Sequence, residues 1–403
     1  MTAMPFLSPR ISAIQPSPAS ILRREARELR SAGRDIIEMS SGNLDFATPD
    51  HVIAAAHEAA LRGETRYTDV DGTPELNHAV RAALLRDHGL SYAADEIVIT
   101  NGSTQALFNA LLATLRPGDE VIVPAPYWAP YLDQVRLIGG EPVIVPCPQN
   151  NGFKLRPEDL EAAITAKTRW LIINNPVNPS GAVYRRDELA GIAALLERYP
   201  DLWILADGLY EQIVFEGDRA PTLAAIAPQL KPRTLTVSGV AKAYAMMGWR
   251  IGYAAGPAAL IREMIKIQSQ TTSCASSISQ AAAIAALSGP QDLLQERIAI
   301  LRDKRDRFVA LVNDCPGLSC SAPEGTFFLL VSCAEVVGKH SPDGKSIRND
   351  RDFAAYLLEH ADLAVFPGED FGLSPYIRVS FANPPAIIGE AGQRLRRACE
   401  ALQ

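Results

Sequence analysis

The sequence is poor in the patterns that would commit it to a metal, a disulfide scaffold or a membrane. Its six cysteines (Cys147, Cys274, Cys315, Cys320, Cys333, Cys399) form no CxxC pair, and its six histidines fall in no HExxH arrangement. Neither a zinc site nor a disulfide framework is therefore expected, and reduced, mostly buried thiols are. No apolar run approaches the roughly 18 residues that span a bilayer, and the start, MTAMPFLSPRIS, lacks a basic segment followed by an apolar one. A cytoplasmic protein is the expectation. Positive charge is also in deficit, with 39 Lys and Arg against 46 Asp and Glu, a net charge of -7. Nucleic acid and anionic membrane are thereby disfavoured as partners, since both would be repelled over much of the surface. Arg10, Arg23 and Arg24, with several serines and no acid before Glu25, give the first residues a weak organelle-targeting look, which an N-terminal arm explains equally well.

What is present is enough apolar material for a large core: 403 residues, 47% hydrophobic, suggesting two domains or one with a satellite. Short β-branched runs recur at Glu96–Thr100, Glu120–Val123, Pro142–Val145, Trp170–Asn174, Leu202–Ala206, Thr234–Val237 and Ile251–Ala254. Each reads as a strand buried on both faces. Helical patterns such as Gln105–Leu115 and Arg186–Arg198 lie between them, so a doubly wound, mostly parallel seven-stranded α/β sheet is predicted. From about Gly289 the pattern changes to a long charged helix, Asp292–Asn313, then strands at Thr326–Val331 and Ile377–Phe381, then a helix from Pro385 to Leu402. The expected division is an arm over 1–45 packing on the smaller domain or a partner subunit, a large domain over 46–288, and a small α+β domain over 289–403.

Ligands of doubly wound sheets sit at the carboxyl ends of strands, and four such places carry suggestive residues. Gly102, Ser103 and Thr104 follow EIVIT and open a helix, offering N–H groups and hydroxyls to a phosphate, or simply an N-cap. Asp207 follows LWILA, where a buried carboxylate needs a cationic partner unless it only caps a turn. The loop NPVNPSG after WLIIN aims asparagines, among them Asn178, toward the same rim. Lys242, in SGVAKAYAMMGWR, sits in apolar surroundings that would depress its pKa and suit a nucleophile or base. A snorkelling surface lysine is the plainer alternative.

Together these segments resemble the class I and II aminotransferases of fold type I, most closely the bacterial aspartate-aminotransferase-like subgroup. AKAYAMMGWRIGYAAGP is similar to that family's cofactor-lysine motif, and NNPVNPSGAVY, ADGLYE, PYW, PEGTFF and FPGEDFG are similar to further motifs in the family's order. The resemblance covers nearly the whole chain. It implies pyridoxal 5'-phosphate (PLP) held by Lys242 as a Schiff base, with the lysine also moving the substrate's Cα proton. It implies Asp207 on the pyridine nitrogen, Tyr210 and Asn178 on the ring's O3′, and Trp128 stacked on its face. Gly102, Ser103, Thr104 and Arg250 would hold the phosphate, joined by Tyr67 from the other subunit of a homodimer. Arg378, with Asn178 and the Gly42 backbone, would grip the α-carboxylate of an L-amino acid whose amino group passes to a 2-oxo acid.

Four positions depart from the family pattern. Gly208 stands where a glutamate is usual and would loosen the turn after Asp207. Gly239 replaces a phosphate-binding serine, and Val177 replaces an asparagine and would reshape the pocket. Thr104 stands where aspartate-active members often carry a lysine, which opens the donor to neutral, aromatic or basic amino acids as well as aspartate. The same fold hosts PLP-dependent lyases, oxidising enzymes and synthases, which form the alternative reading.

Overall fold

The computed structural model describes residues 6, 8–14, 16, 18–217 and 219–403; the expectations resting on residues 1–5, 7, 15 and 17 lie outside it. In chain order the strands are β1 (Ile37–Glu38), β2 (Ile97–Thr100), β3 (Glu120–Ala125), β4 (Glu141–Pro146), β5 (Thr168–Asn174), β6 (Trp203–Asp207), β7 (Thr234–Gly239), β8 (Gly252–Ala255), β9 (Phe328–Ser332), β10 (Leu363–Ala364), β11 (Phe366–Pro367) and β12 (Tyr376–Ser380). All seven apolar runs join one sheet, in the order β2-β8-β7-β6-β5-β3-β4. Its pairings are parallel except those of β8, which runs antiparallel to both neighbours. The inner strands are apolar on both faces because helices cover both; β4, at the edge, is half exposed and admits Pro142 and Pro146.

This topology gathers chemistry at one rim. Because β2, β5, β6 and β7 run the same way, their carboxyl ends lie together: Asn174 is registered with Asp207, and Asp207 with Val237. The reversed β8 brings its beginning to the same rim, with Gly252 opposite both Thr100 and Gly239. Arg250, two residues before β8 and in a left-handed conformation (φ 58°), is thus delivered next to the turn after β2. Gly252 is needed there, since a Cβ on it would fall 2.2 Å from the Ser103 nitrogen.

The C-terminal part builds its own core around the antiparallel sheet β11-β12-β9, under helices Asp292–Asn313, Asp350–Ala361 and Pro385–Glu400. Phe308, Phe327, Phe328, Phe353, Ile377, Phe381 and Leu395 are all buried in it. The N-terminal helix Pro18–Ser31 leans on this part. Leu22, Ala26 and Leu29 meet Leu358 and Ala364, and β1 pairs in parallel with β10. One strand differs from expectation: β9 begins at Phe328, not Thr326. Thr326 has φ 62°, and its N–H goes to the Ile213 carbonyl at 2.9 Å, which turns the chain out of the ladder. Among the described residues no helix is long and apolar enough to cross a membrane, and all six cysteines are free thiols.

Candidate active site

Lys242 leaves the end of β7 in a run of turns, and its ammonium donates to the Gly42 carbonyl at 2.8 Å. The rings of Tyr210 and Phe327 lie 5.6 and 5.7 Å from its nitrogen. Burial, helped by the nearby charges of Arg378 and Arg250, lowers its pKa from 10.5 to about 8. The lysine therefore does not snorkel.

Asp207 closes β6 and is buried. One carboxylate oxygen accepts from the Leu209 N–H at 3.1 Å, and the other from the Tyr131 hydroxyl at 2.6 Å. Burial raises its pKa, and those two donors pull the other way. The turn-capping role and the pocket-facing role thus coexist, one per oxygen. Tyr131 was missed from the sequence. It lies three residues beyond Trp128 at the start of helix Pro130–Ile138, and the two rings meet edge to face with centroids 5.3 Å apart. The repeat of aromatics in PYWAPY carried that signal.

At the next strand end, the helix predicted from Gln105 begins at Ser103, so Ser103 and Thr104 lie in its first turn. Its N-cap is Gly102 with φ +83°, and no side chain caps it, which disposes of the plain capping role for the two hydroxyl residues. The Arg250 guanidinium fills the space beside this turn; a Cβ on Gly102 would sit 2.3 Å from its Nη2. A helix N-terminus, two hydroxyls and an arginine are thereby collected at one point.

On the other side lies Arg378, from β12. Its Nη1 donates to Asn178 Oδ1 at 3.2 Å and its Nη2 to the Ser40 carbonyl at 2.9 Å, while its Nε has no partner among the described residues. Phe328, Phe371 and Phe366 surround the guanidinium at 4.2, 4.6 and 4.8 Å. This desolvation lowers its pKa to about 10, so it stays cationic at neutral pH. Asn178 is itself fixed by its N–H to Asn174 Oδ1 at 2.7 Å, and Asn174 Nδ2 donates to the Asp207 carbonyl at 3.0 Å. Asn174, Ser40 and the phenylalanines were not singled out in the sequence, although Phe328 and Phe371 stand within PEGTFF and FPGEDFG.

Gly102, Ser103, Thr104, Trp128, Tyr131, Asn178, Asp207, Tyr210, Lys242 and Arg250 line one pocket of about 630 Å³. It opens into a second space lined by Gly42, Phe328, Phe366, Phe371 and Arg378, with Trp128, Asn178, Tyr210, Lys242 and Arg250 common to both. Of the twelve residues singled out, only Tyr67 stands apart, 91% exposed in a different groove with Arg62 and Arg66.

Two of the departures behave differently from expectation. Gly208 does not loosen its turn: its N–H bonds the Val237 carbonyl at 2.8 Å, and the absence of a side chain admits Glu211, whose Oε2 would lie 2.7 Å from a Cβ there. That carboxylate pairs with buried His88 at 3.0 Å. Val177 does not line the pocket; it is buried in the core cluster that also holds Ile173 and Ala182. A Cβ on Gly239 would lie 3.0 Å from the Ile251 carbonyl, a tight fit against backbone.

A lysine and a carboxylate at the carboxyl rim of a seven-stranded sheet with this strand order make the chain an α/β enzyme of fold type I. It belongs to the aminotransferases of class I and II, whose family pattern matches residues 34–399, and it transfers amino groups. It is 50% identical over 393 residues to the aspartate aminotransferase of Rhizobium meliloti (strain 1021), covering 98% of this chain and 96% of that one. It is 47% identical over 399 residues to the aspartate/prephenate aminotransferase of Cereibacter sphaeroides, covering 99% and 100%. The crystal structure of the Rhizobium meliloti aspartate aminotransferase superposes with a TM-score of 0.96 at 49% identity, over 98% of this chain and 99% of that chain.

Proposed function

We propose that this aminotransferase uses PLP and takes aspartate as amino donor and a 2-oxo acid as acceptor. The observation that carries the cofactor is the cradle at the rim. Gly102 admits the Arg250 guanidinium, and Gly252 the backbone of Gly102 and Ser103, where a Cβ would clash, the helix N-terminus after Gly102 is uncapped, and a buried carboxylate faces the same pocket across it. These residues fit a phosphorylated pyridine aldehyde. Gly102, Ser103, Thr104 and Arg250 would hold the phosphate, Asp207 the ring nitrogen, Tyr210 and Asn178 the ring hydroxyl, Trp128 the ring face and Lys242 the aldehyde carbon. When bound, such a group supplies an electron sink for a carbanion next to the substrate nitrogen.

The remaining roles belong to the chain. Arg378 grips the substrate α-carboxylate, because its Nε is unmatched and its guanidinium is desolvated by three rings. Asn178 and the backbone at Gly42 orient the same group. Lys242 Nζ, with its lowered pKa, takes and returns the Cα proton. Asp207 keeps the ring nitrogen protonated by staying ionised, which Tyr131 and the Leu209 N–H favour. Tyr67, exposed here, completes the phosphate site of a second copy, so the working form is a homodimer, in the cytoplasm. We place the arm at 1–45, the cofactor domain at 46–288 and the small domain at 289–403.

Aspartate is favoured by the names of the relatives, although Thr104 offers a hydroxyl and no cation. Mixing the purified enzyme anaerobically with single amino acids and no oxo acid should yield one equivalent of oxo acid per site from aspartate, without ammonia. Ammonia release, or a faster and fuller response to a neutral or aromatic donor, would replace this assignment. The cradle has its own test. Gly102→Ala should weaken PLP binding by about tenfold or more, measured by equilibrium dialysis, because the new methyl displaces Arg250 and the positive-φ extended backbone there disfavours alanine by about 1–3 kcal/mol. Unchanged PLP affinity would remove the phosphate from this turn.

A further inference from the structure

Helix Asp292–Asn313 buries Leu294, Ile298, Leu301, Phe308 and Val312 along one stripe, and two cations, Arg297 and Lys304, lie in the same stripe. A buried cation costs several kcal/mol unless it is paired. Both find their partners in four consecutive residues that precede helix Asp50–Leu61. Lys304 Nζ is 2.6 Å from Asp45 Oδ2, with the lysine side chain only 3% exposed. The Phe46 ring lies between the two cations, 5.1 Å from the Arg297 guanidinium and 5.2 Å from the Lys304 ammonium. Arg297 Nη2 donates to the Ala47 carbonyl at 2.5 Å. Thr48 Oγ1 donates to the Ala245 carbonyl at 2.9 Å and accepts from Trp249 Nε1 at 3.0 Å.

The second hand of Arg297 matters most. Its Nη1 reaches the carbonyl of Ala243, at 3.4 Å, the residue after Lys242. One guanidinium therefore ties the backbone beside the reactive lysine to the backbone five residues beyond Gly42, whose carbonyl accepts from that lysine. Residues 39–49 belong to no helix or strand, so no continuous ladder fixes them. We propose that Arg297 and Lys304 are positioning residues: they clamp residues 45–48 so that the Gly42 carbonyl and the Lys242 amine are held in contact. Two consequences follow from the geometry. Helix Asp292–Asn313 is coupled to the backbone beside the lysine, and water is kept from the amine by a segment that would otherwise lift away.

The inference rests on Lys242 being the reactive amine, and its test is chosen to work even if that reading fails. In cofactor-free full-length protein, the pH dependence of Lys242 acetylation by trace acetic anhydride, read by mass spectrometry, gives the lysine's midpoint directly. Lys304→Met and Arg297→Met should raise that midpoint by about one unit from about 8, because admitted water relieves the burial that depresses it. In the PLP-loaded enzyme the same variants should lower kcat about tenfold and raise the KM for the amino acid, with Lys304→Arg recovering most of both. Asp45→Asn, on an exposed residue, serves if the helix variants do not fold and should move the midpoint the same way. Folded variants with a lower melting temperature but an unchanged Lys242 midpoint and kcat would overturn the proposal and leave the clamp a purely structural contact.

Discussion

Lys242→Ala should abolish transamination, with kcat falling by about 10⁴-fold or more. On the role proposed for Lys242, two separate properties of one side chain would be lost together, the covalent anchor and the proton carrier. The wild-type site prepares the second by burial. With a pKa of about 8, about a tenth of the amine is unprotonated at pH 7, against less than about 0.1% for an ordinary lysine near 10.5. The sign is fixed by the cause, since desolvation and two arginines both disfavour the ammonium, so the competent neutral form is gained as pH rises toward 8. Lys242→Arg separates charge from proton transfer, because guanidinium keeps the cation and does not release its proton. It should be as inactive as the alanine variant. Turnover would be measured with aspartate and a 2-oxo acid, and borohydride reduction of the PLP-loaded protein should leave a stable cofactor mass on the peptide containing residue 242 in the wild type alone. Residual activity above about 1% in either variant, or a cofactor mass on another peptide, would refute the assignment.

Asp207→Asn should lower kcat by about 10²–10³-fold while leaving the KM for the amino acid within a few fold. The substitution conserves volume, and an amide oxygen can still accept from Tyr131, as the carboxylate does at 2.6 Å. The charge alone disappears. Within a pocket this buried, a fixed negative charge opposite a ring nitrogen is worth far more than in water, and its loss falls on the charge-developing step. The set proposed to grip the substrate, Arg378 with Asn178 and the Gly42 backbone, is held by other bonds, Arg378 to Asn178 and to the Ser40 carbonyl, and is untouched. Steady-state kinetics with aspartate separates the two parameters. Loss confined to KM would move Asp207 from chemistry to binding.

The relation between sequence and site is instructive at particular residues. Lys242, Asp207, Asn178 and Arg250 were legible because each follows or precedes a buried apolar run, and strand ends in a parallel sheet converge on one rim. Thr104 and Ser103 were legible as a helix opening, although their helix starts two residues earlier than periodicity suggested. Tyr131 escaped because a tyrosine inside an amphipathic helix looks like core until its hydroxyl is seen on Asp207. The Phe328, Phe366 and Phe371 cage escaped because its members come from two strands and a 3-10 turn, and it exists only once they surround Arg378. Gly208 was misjudged because its benefit lies in the Glu211 side chain folded over it, paired to His88 from a helix more than a hundred residues earlier.

By itself, then, the sequence determined the seven strands of the sheet, though not that β4 would be half exposed at its edge, the charged helix Asp292–Asn313 and the residue types waiting at the strand ends, because hydrophobic periodicity and turn chemistry are local. Tertiary structure alone decided the reversal of β8 that brings Arg250 to Gly102, the pairing of Tyr131 with Asp207, and the Arg297–Lys304 clamp over residues 45–48. Each of these joins side chains far apart in the chain, and the energy that selects them, the satisfaction of charges and donors after burial, has no value until the core around them has closed.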